Sequence, residues 1–200
     1  MRDHDELAAP GPHVGAVLCG GRSSRFGTDK AIVEIDGQPL AARIVTALRA
    51  GGADPVVAVG GSAGDVLGVP TVPDRFPGEG PLAALATALL YARAGLVVVT
   101  SCDLPLLRGR HVAQLIAAAS EDLAAVATID GRPQPSLACW PARFGPAVSS
   151  LVTADRRAWR DALEVVPWTG VAMPPEAVAD ADTPEELKVL LARRHRDAAP

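Results

Sequence analysis

The chain has 200 residues, 48% of them hydrophobic, and a formal net charge of -4 at pH 7. That length suits one domain with a sizeable core, and the mild acidity excludes the basic excess with which proteins hold nucleic acid or anionic membranes. No apolar run reaches membrane-spanning length, and three scattered cysteines without a C-x-x-C pair fit a reduced, cytoplasmic protein.

The opening MRDHDELAAPGPH (1–13) is polar, lacks the apolar stretch of a signal peptide and reads as a loose tail. Val14–Cys19 reads as a buried strand ending at Gly20-Gly21. AIVEIDGQPL predicts a short strand and a turn at Asp36-Gly37. A helix from Leu40 to Ala50 then carries Leu40, Ile44 and Leu48 on one face and stops at Gly51-Gly52. PVVAVG and VPTVPDRF read as the second and third strands. Pro81, well placed at a first helical position, opens a helix over Leu82–Ala94. LVVVT is a continuous apolar strand leading to Ser101-Cys102-Asp103, and a helix over His111–Ala119 follows.

The rhythm then changes. AAVATI and PSLACW, joined by the turn DGRPQ, read as two strands with no helix between them. Helices near Phe144–Val152 and over Arg156–Leu163 come next, then short strands at EVVPW and EAVAD. The chain closes on DTPEELKVLLARR, with Thr183 as N-cap, Pro184 at N1 and Glu186 at N3 of a capping box. Alternating helices and near-fully apolar strands predict an α/β fold with a mostly parallel sheet. It forms one domain over 14–192, with tails at 1–13 and 193–200.

The stretch VGAVLCGGRSSRFGTDK, Val14 to Lys30, carries the chemistry. A strand that ends in glycines lets main-chain N–H groups approach a ligand closely, and Arg22, Arg25 and Lys30 add cations suited to a polyphosphate. A Walker loop requires lysine directly after its last glycine, whereas Gly27 is followed by Thr28-Asp29-Lys30. A dinucleotide fingerprint requires G-x-G-x-x-G and an acid closing the second strand; neither is present, which argues against a nicotinamide-dependent dehydrogenase. The plain alternative is a surface turn with solvated arginines.

Leu18 to Lys30 resembles the nucleotide-binding signature of the molybdenum cofactor guanylyltransferase (MobA) family, L-A-G-G-x-S-x-R-M-G-x-D-K, with Cys19 for Ala and Phe26 for Met. The likeness continues in family order to about Leu191. VPDRFPGEGPLAAL, with Asp74 and Gly80-Pro81-Leu82, resembles the family's aspartate and P-G-x-G-P-L-A-G segment, Ala84 replacing the last glycine. LVVVTSCDLPLL resembles its strand ending in C-D-x-P, and GRPQPSLACW its Gln-Pro segment before a strand. DADTPEEL resembles N-x-N-T-P-E-[DE]-L, with Asp180 and Asp182 in place of the asparagines.

The resemblance implies a Rossmann-like three-layer nucleotidyltransferase fold. It implies magnesium-dependent transfer of GMP from GTP to molybdopterin, the organic part of the molybdenum cofactor, with release of pyrophosphate. It assigns nucleotide contacts to Leu18, Cys19, Gly20, Gly21, Lys30, Asp74, Gly80, Pro81 and Asp103. Arg25, Lys30 and Asp103 are the implied catalytic residues, and Asp103 and Asp182 the implied metal ligands. The base would be met mainly by main-chain groups of Leu18–Gly20; Val59-Gly60 stands where the family often has asparagine. A molybdoenzyme or cofactor-delivery protein is the implied protein partner, with no nucleic acid and no membrane.

The residues themselves leave other readings open. Asp103 also reads as a turn residue before Pro105, although the carboxyl end of a buried strand is where open α/β sheets hold ligands. Asp180 and Asp182 also read as acids favoured at a helix N-terminus. Asp74 reads as a turn residue or nucleotide contact, and Gln134 as a hairpin-turn residue or part of an acceptor site. Trp140, Trp159 and Trp168 read as packing, and the cysteines as small core residues. His111 falls in a helix's first turn, and no two of the four histidines have metal-ligand spacing. No Ser–His–Asp or Cys–His set stands out; a phosphate nucleophile, already ionised, needs orientation rather than a base. The functional alternatives are a related nucleotidyltransferase using CTP or another phosphorylated acceptor, and a nucleotide-binding regulatory domain without turnover.

Overall fold

The computed structural model describes residues 13–19, 30–35, 37–180, 186, 189 and 190. The apolar run at its start forms β1 (His13–Leu18), buried from Val14 onward because helices cover both faces of the sheet. A small hairpin, β2 (Glu34–Ile35) and β3 (Gln38–Pro39), leads into α1 (Leu40–Ala50). Then come β4 (Val56–Val59), the short α2 (Gly64–Leu67), β5 (Thr71–Val72), α3 (Pro81–Ala92) and β6 (Leu96–Ser101). The second half holds α4 (Gly109–Ala118), β7 (Ala124–Ile129), β8 (Arg132–Pro141), α5 (Gly145–Thr153) and β9 (Trp168–Ala172).

Seven strands form one sheet in the order β5-β4-β1-β6-β8-β7-β9. β8 runs antiparallel to its neighbours β6 and β7, whereas the other pairings are parallel, giving the expected mostly parallel sheet. Alternate residues of β1 feed opposite cores. Val17 and Cys19 pack with Ile44 and Leu48 of α1 and Leu115 of α4. Val14, Ala16 and Leu18 pack with Leu82, Leu85 and Leu89 of α3 and Val148 of α5. This period-two division makes three layers, helix–sheet–helix. Trp140 is fully buried in the second core, and Cys19 and Cys139 are buried in the first. Trp159 packs on the second core, whereas Trp168, at the sheet's edge, is 37% exposed.

Several expected elements differ. VPTVPDRF contributes only Thr71–Val72, because Pro70 and Pro73 lack the N–H a ladder requires. The helix expected over Arg156–Leu163 is a 3-10 segment, Trp159–Glu164. EVVPW is not a strand: the N–H groups of Val165 and Val166 turn back to the Ala162 carbonyl, and the strand starts only at Trp168. EAVAD is likewise a 3-10 turn, Pro175–Val178, with Ala177 N–H donating to Pro174 O. In both places local i to i-3 or i-4 hydrogen bonds took the backbone that an apolar run offered to a sheet.

Candidate active site

Connectivity defines the site. From β1 the chain passes through α1 to β4 on one side; from β5 it passes through α3 to β6 on the other. β1 and β6 are therefore the neighbours between which strand order reverses, and Leu18 lies opposite Ser101 at their carboxyl ends. Open α/β sheets bind ligands in the crevice formed there. The glycine–arginine segment leaves β1 at this point, and Asp103 follows β6 by two residues.

Leu18 and Cys19 are buried at 7% and 5% exposure, in opposite cores, so what they can offer a ligand is main chain. The Cys19 N–H donates to Val59 O at 2.9 Å and is committed to the sheet. Lys30 opens a 3-10 turn, Lys30–Ile32, that returns the chain toward α1; its side chain lies outside the described structure. Gly20, Gly21, Arg22, Arg25 and Asp182 lie outside the described residues, as do Thr183 and Pro184. Asp180 is described and exposed.

Asp103 is half-buried in the turn after β6, and its Oδ1 accepts a hydrogen bond from the Ser101 hydroxyl at 2.5 Å. Buried Leu104 follows it and anchors the turn in the first core. Among the described residues no group of three or more His, Cys, Asp or Glu side chains forms a ready metal cage. A single oriented carboxylate at a ligand crevice nevertheless fits magnesium, which binds through one or two carboxylates and takes substrate phosphates and water as its other ligands.

Asp74 lies beyond β5 on the same edge. Its Oδ1 accepts from Phe76 N–H at 3.0 Å and faces the Thr87 hydroxyl of α3 at 3.1 Å; the Thr87 oxygen also accepts from Arg75 N–H at 3.1 Å. Thr87, fully buried, thus pins the β5–α3 loop to its own helix. Gly80 has φ +84, a conformation that favours glycine, and Pro81 starts α3. Gln134 lies in β8, whose Leu137 pairs with Thr100, so this end of β8 runs past the end of β6 on the same edge. The Gln134 Nε2 reaches the Arg132 carbonyl at 3.5 Å. A cleft of about 270 Å³ opens elsewhere, between α1 and residues 105–109, with Arg43 and Arg108 in its wall; it is lined by none of the residues expected to bind nucleotide.

Sequence reasoning missed Ser101, Thr87 and Arg157. Ser101 carried a local signal, a hydroxyl two residues before an aspartate. Thr87 carried none, because Asp74 and Arg75 lie outside its helix, and neither did the ion pair of Arg157 with Glu79, far apart in sequence.

These features describe an α/β protein whose strand order reverses between β1 and β6, the place where open sheets of this kind take their ligands. Residues 15–167 match the family model of the MobA-like NTP transferase domain. The chain is 37% identical to a molybdenum cofactor guanylyltransferase of Rhizobium johnstonii, over 80% of this chain and 78% of that one. It is 34% identical to a molybdenum cofactor guanylyltransferase of Rhodobacter capsulatus, over 86% and 92%. A solved structure of molybdopterin-guanine dinucleotide biosynthesis protein A from Archaeoglobus fulgidus shares the fold with a TM-score of 0.73 at 20% identity, covering 91% of this chain and 98% of the other. The chain belongs to the MobA-like NTP transferase family.

Proposed function

We propose that the chain is a molybdenum cofactor guanylyltransferase that transfers GMP from GTP to molybdopterin and releases pyrophosphate. The observation that carries this reading is the meeting of the glycine–arginine strand end with the aspartate strand end at the sheet's switch point, in a chain of this family. The substrate follows from the relatives, which are guanylyltransferases of the molybdenum cofactor.

In this reading the terminal phosphate of molybdopterin attacks the α-phosphorus of GTP. A new phosphorus–oxygen bond forms, the bond to the β-phosphate bridge breaks, and pyrophosphate carries away the electron pair. Asp103, with Asp182, would hold magnesium, which when bound neutralises charge on the phosphates. Arg25 and Lys30 hold the leaving β- and γ-phosphates. The residues chiefly position two anions and offset their repulsion, which is most of what phosphoryl-type transfer asks of a protein. The main chain at Leu18–Gly20 and the Asp74 and Gly80-Pro81 loop enclose the nucleoside. Ser101 orients Asp103. The enzyme works in the cytoplasm and passes its product to a molybdoenzyme or delivery protein. Among the described residues no helix is long and apolar enough to cross a membrane.

The test is pyrophosphate release from GTP, CTP and ATP, each with magnesium and molybdopterin. Release with GTP alone is expected. Release with CTP alone would move the protein to cytidylyl transfer on the same fold. Triphosphate binding without release under any condition would overturn the enzymatic reading with this acceptor.

A further inference from the structure

The turn Gly78–Leu82 brings Gly80 and Pro81 to the site edge, and it is held from outside its own sequence. Gly80, preceding α3, has no side chain to cap the helix. The Leu82 N–H instead donates to the main-chain carbonyl of Arg157 at 3.2 Å, and a Cβ on Gly80 would stand 3.3 Å from that same oxygen. The Arg157 side chain completes the attachment. Its Nη2 pairs with the Glu79 carboxylate, in the middle of the turn, and with Asp155 Oδ1 at 2.6 Å. Its Nη1 donates to the carbonyls of Val152 and Arg156, both at 2.9 Å. One guanidinium thus ties the end of α5 to the turn before α3.

The side chains of Arg157 and Glu79 are 37% and 44% exposed. Ion pairs so exposed add little to global stability. Two carbonyls, however, fix the guanidinium plane, so its grip on Glu79 is directional. Glu79 also places a negative charge on the turn beside the nucleotide site, and Arg157, which it shares with Asp155, offsets it. The geometry points to Arg157 as a positioning residue for the nucleotide site: through Glu79 it fixes and neutralises the turn that carries Gly80 and Pro81. This deepens the functional reading above and rests on it for the identity of the ligand.

The test uses the full chain as wild type, Arg157→Ala, Arg157→Lys, Glu79→Gln and the Arg157→Ala/Glu79→Gln double variant. Amide hydrogen exchange over residues 78–83 and the dissociation constant for magnesium–GTP are measured for each. Arg157→Ala should speed exchange in this turn, leave β1 and β6 protected, and weaken GTP binding about tenfold, the equivalent of one charged hydrogen bond. Arg157→Lys should recover part of the affinity. The double variant should bind better than Arg157→Ala, because Glu79 then no longer repels the ligand. Unchanged exchange at 78–83, faster exchange across the whole domain, or unchanged affinity would overturn the assignment, as would a double variant that binds worse than Arg157→Ala. Wild-type protein that binds GTP without releasing pyrophosphate would overturn the proposed reaction and leave this assignment standing; failure to bind any triphosphate would overturn both.

Discussion

The Ser101 hydroxyl donates to Oδ1 of Asp103 at 2.5 Å, across the turn that closes β6. The bond is charge-assisted and sets the direction of a carboxylate at the crevice between β1 and β6. Ser101→Ala should therefore lower kcat about tenfold with little change in Tm, since one orienting bond to a charged group is lost. Asp103→Asn should cost about a hundredfold or more. Pyrophosphate release under saturating GTP checks both; full activity in Asp103→Asn would remove Asp103 from the chemistry. A chelator that strips divalent metal should abolish turnover, and magnesium should restore it.

The loop cations differ in their expected weight. Lys30→Ala and Arg25→Ala should weaken triphosphate binding and turnover together, each by about tenfold to a hundredfold, because each would lose its proposed contact to the leaving phosphates. Arg22 occupies the variable position of the signature, so Arg22→Ala should cost clearly less. Titration of GTP by calorimetry and steady-state kinetics separate the three. Equal losses at Arg22 and Arg25 would mean the loop faces the other way.

Thr87 is fully buried and faces Asp74 Oδ1 and Arg75 N–H at 3.1 Å each. Thr87→Val keeps the shape and leaves those groups without their partner. Asp74 Oδ1 keeps the Phe76 N–H and both groups lie only part-buried, so the fold should lose about 1 kcal/mol, the worth of an ordinary hydrogen bond. Urea unfolding reads this directly. If the β5–α3 loop contributes to nucleotide binding, KM for GTP should rise as well.

His111 is 1% exposed, and its Nδ1 accepts the Arg108 N–H at 3.2 Å. Burial holds its pKa below the usual 6.5; Arg110 and Arg108 push the same way, and Glu176 opposes them. The unfolded imidazole takes up a proton as pH falls below 6.5 while the folded one resists. Stability from this group is thus fully present above the unfolded pKa, declines as pH falls toward the folded pKa, and levels off below it. Urea midpoints at about pH 7.5 and about pH 5.5 should differ for wild type, and His111→Gln should shrink the difference. An unchanged difference would assign the acid sensitivity to other groups.

Much of the architecture was legible because local pattern and final burial agree. β1 and β6 are covered on both faces, so they read as unbroken apolar runs, and α1 shows its buried stripe at Leu40, Ile44 and Leu48. Pro81 announced the start of α3. The errors fell where local and long-range hydrogen bonding compete. EVVPW and EAVAD are apolar enough for strands, yet their backbone closes 3-10 turns.

The sequence alone carried the contiguous motifs on which the proposed chemistry rests: the glycine–arginine segment after β1, the aspartate after β6 and the glycine–proline start of α3. Such motifs are local, so residue order contains them. Only the tertiary structure decided that β6 lies beside β1, so that the carboxyl ends of the two strands meet, and that β9 pairs with β7 at the far edge. It also decided that Thr87 holds Asp74 and that Arg157 holds Glu79. These partners come from different elements, and which elements meet is set by which apolar faces can bury one another across the whole chain.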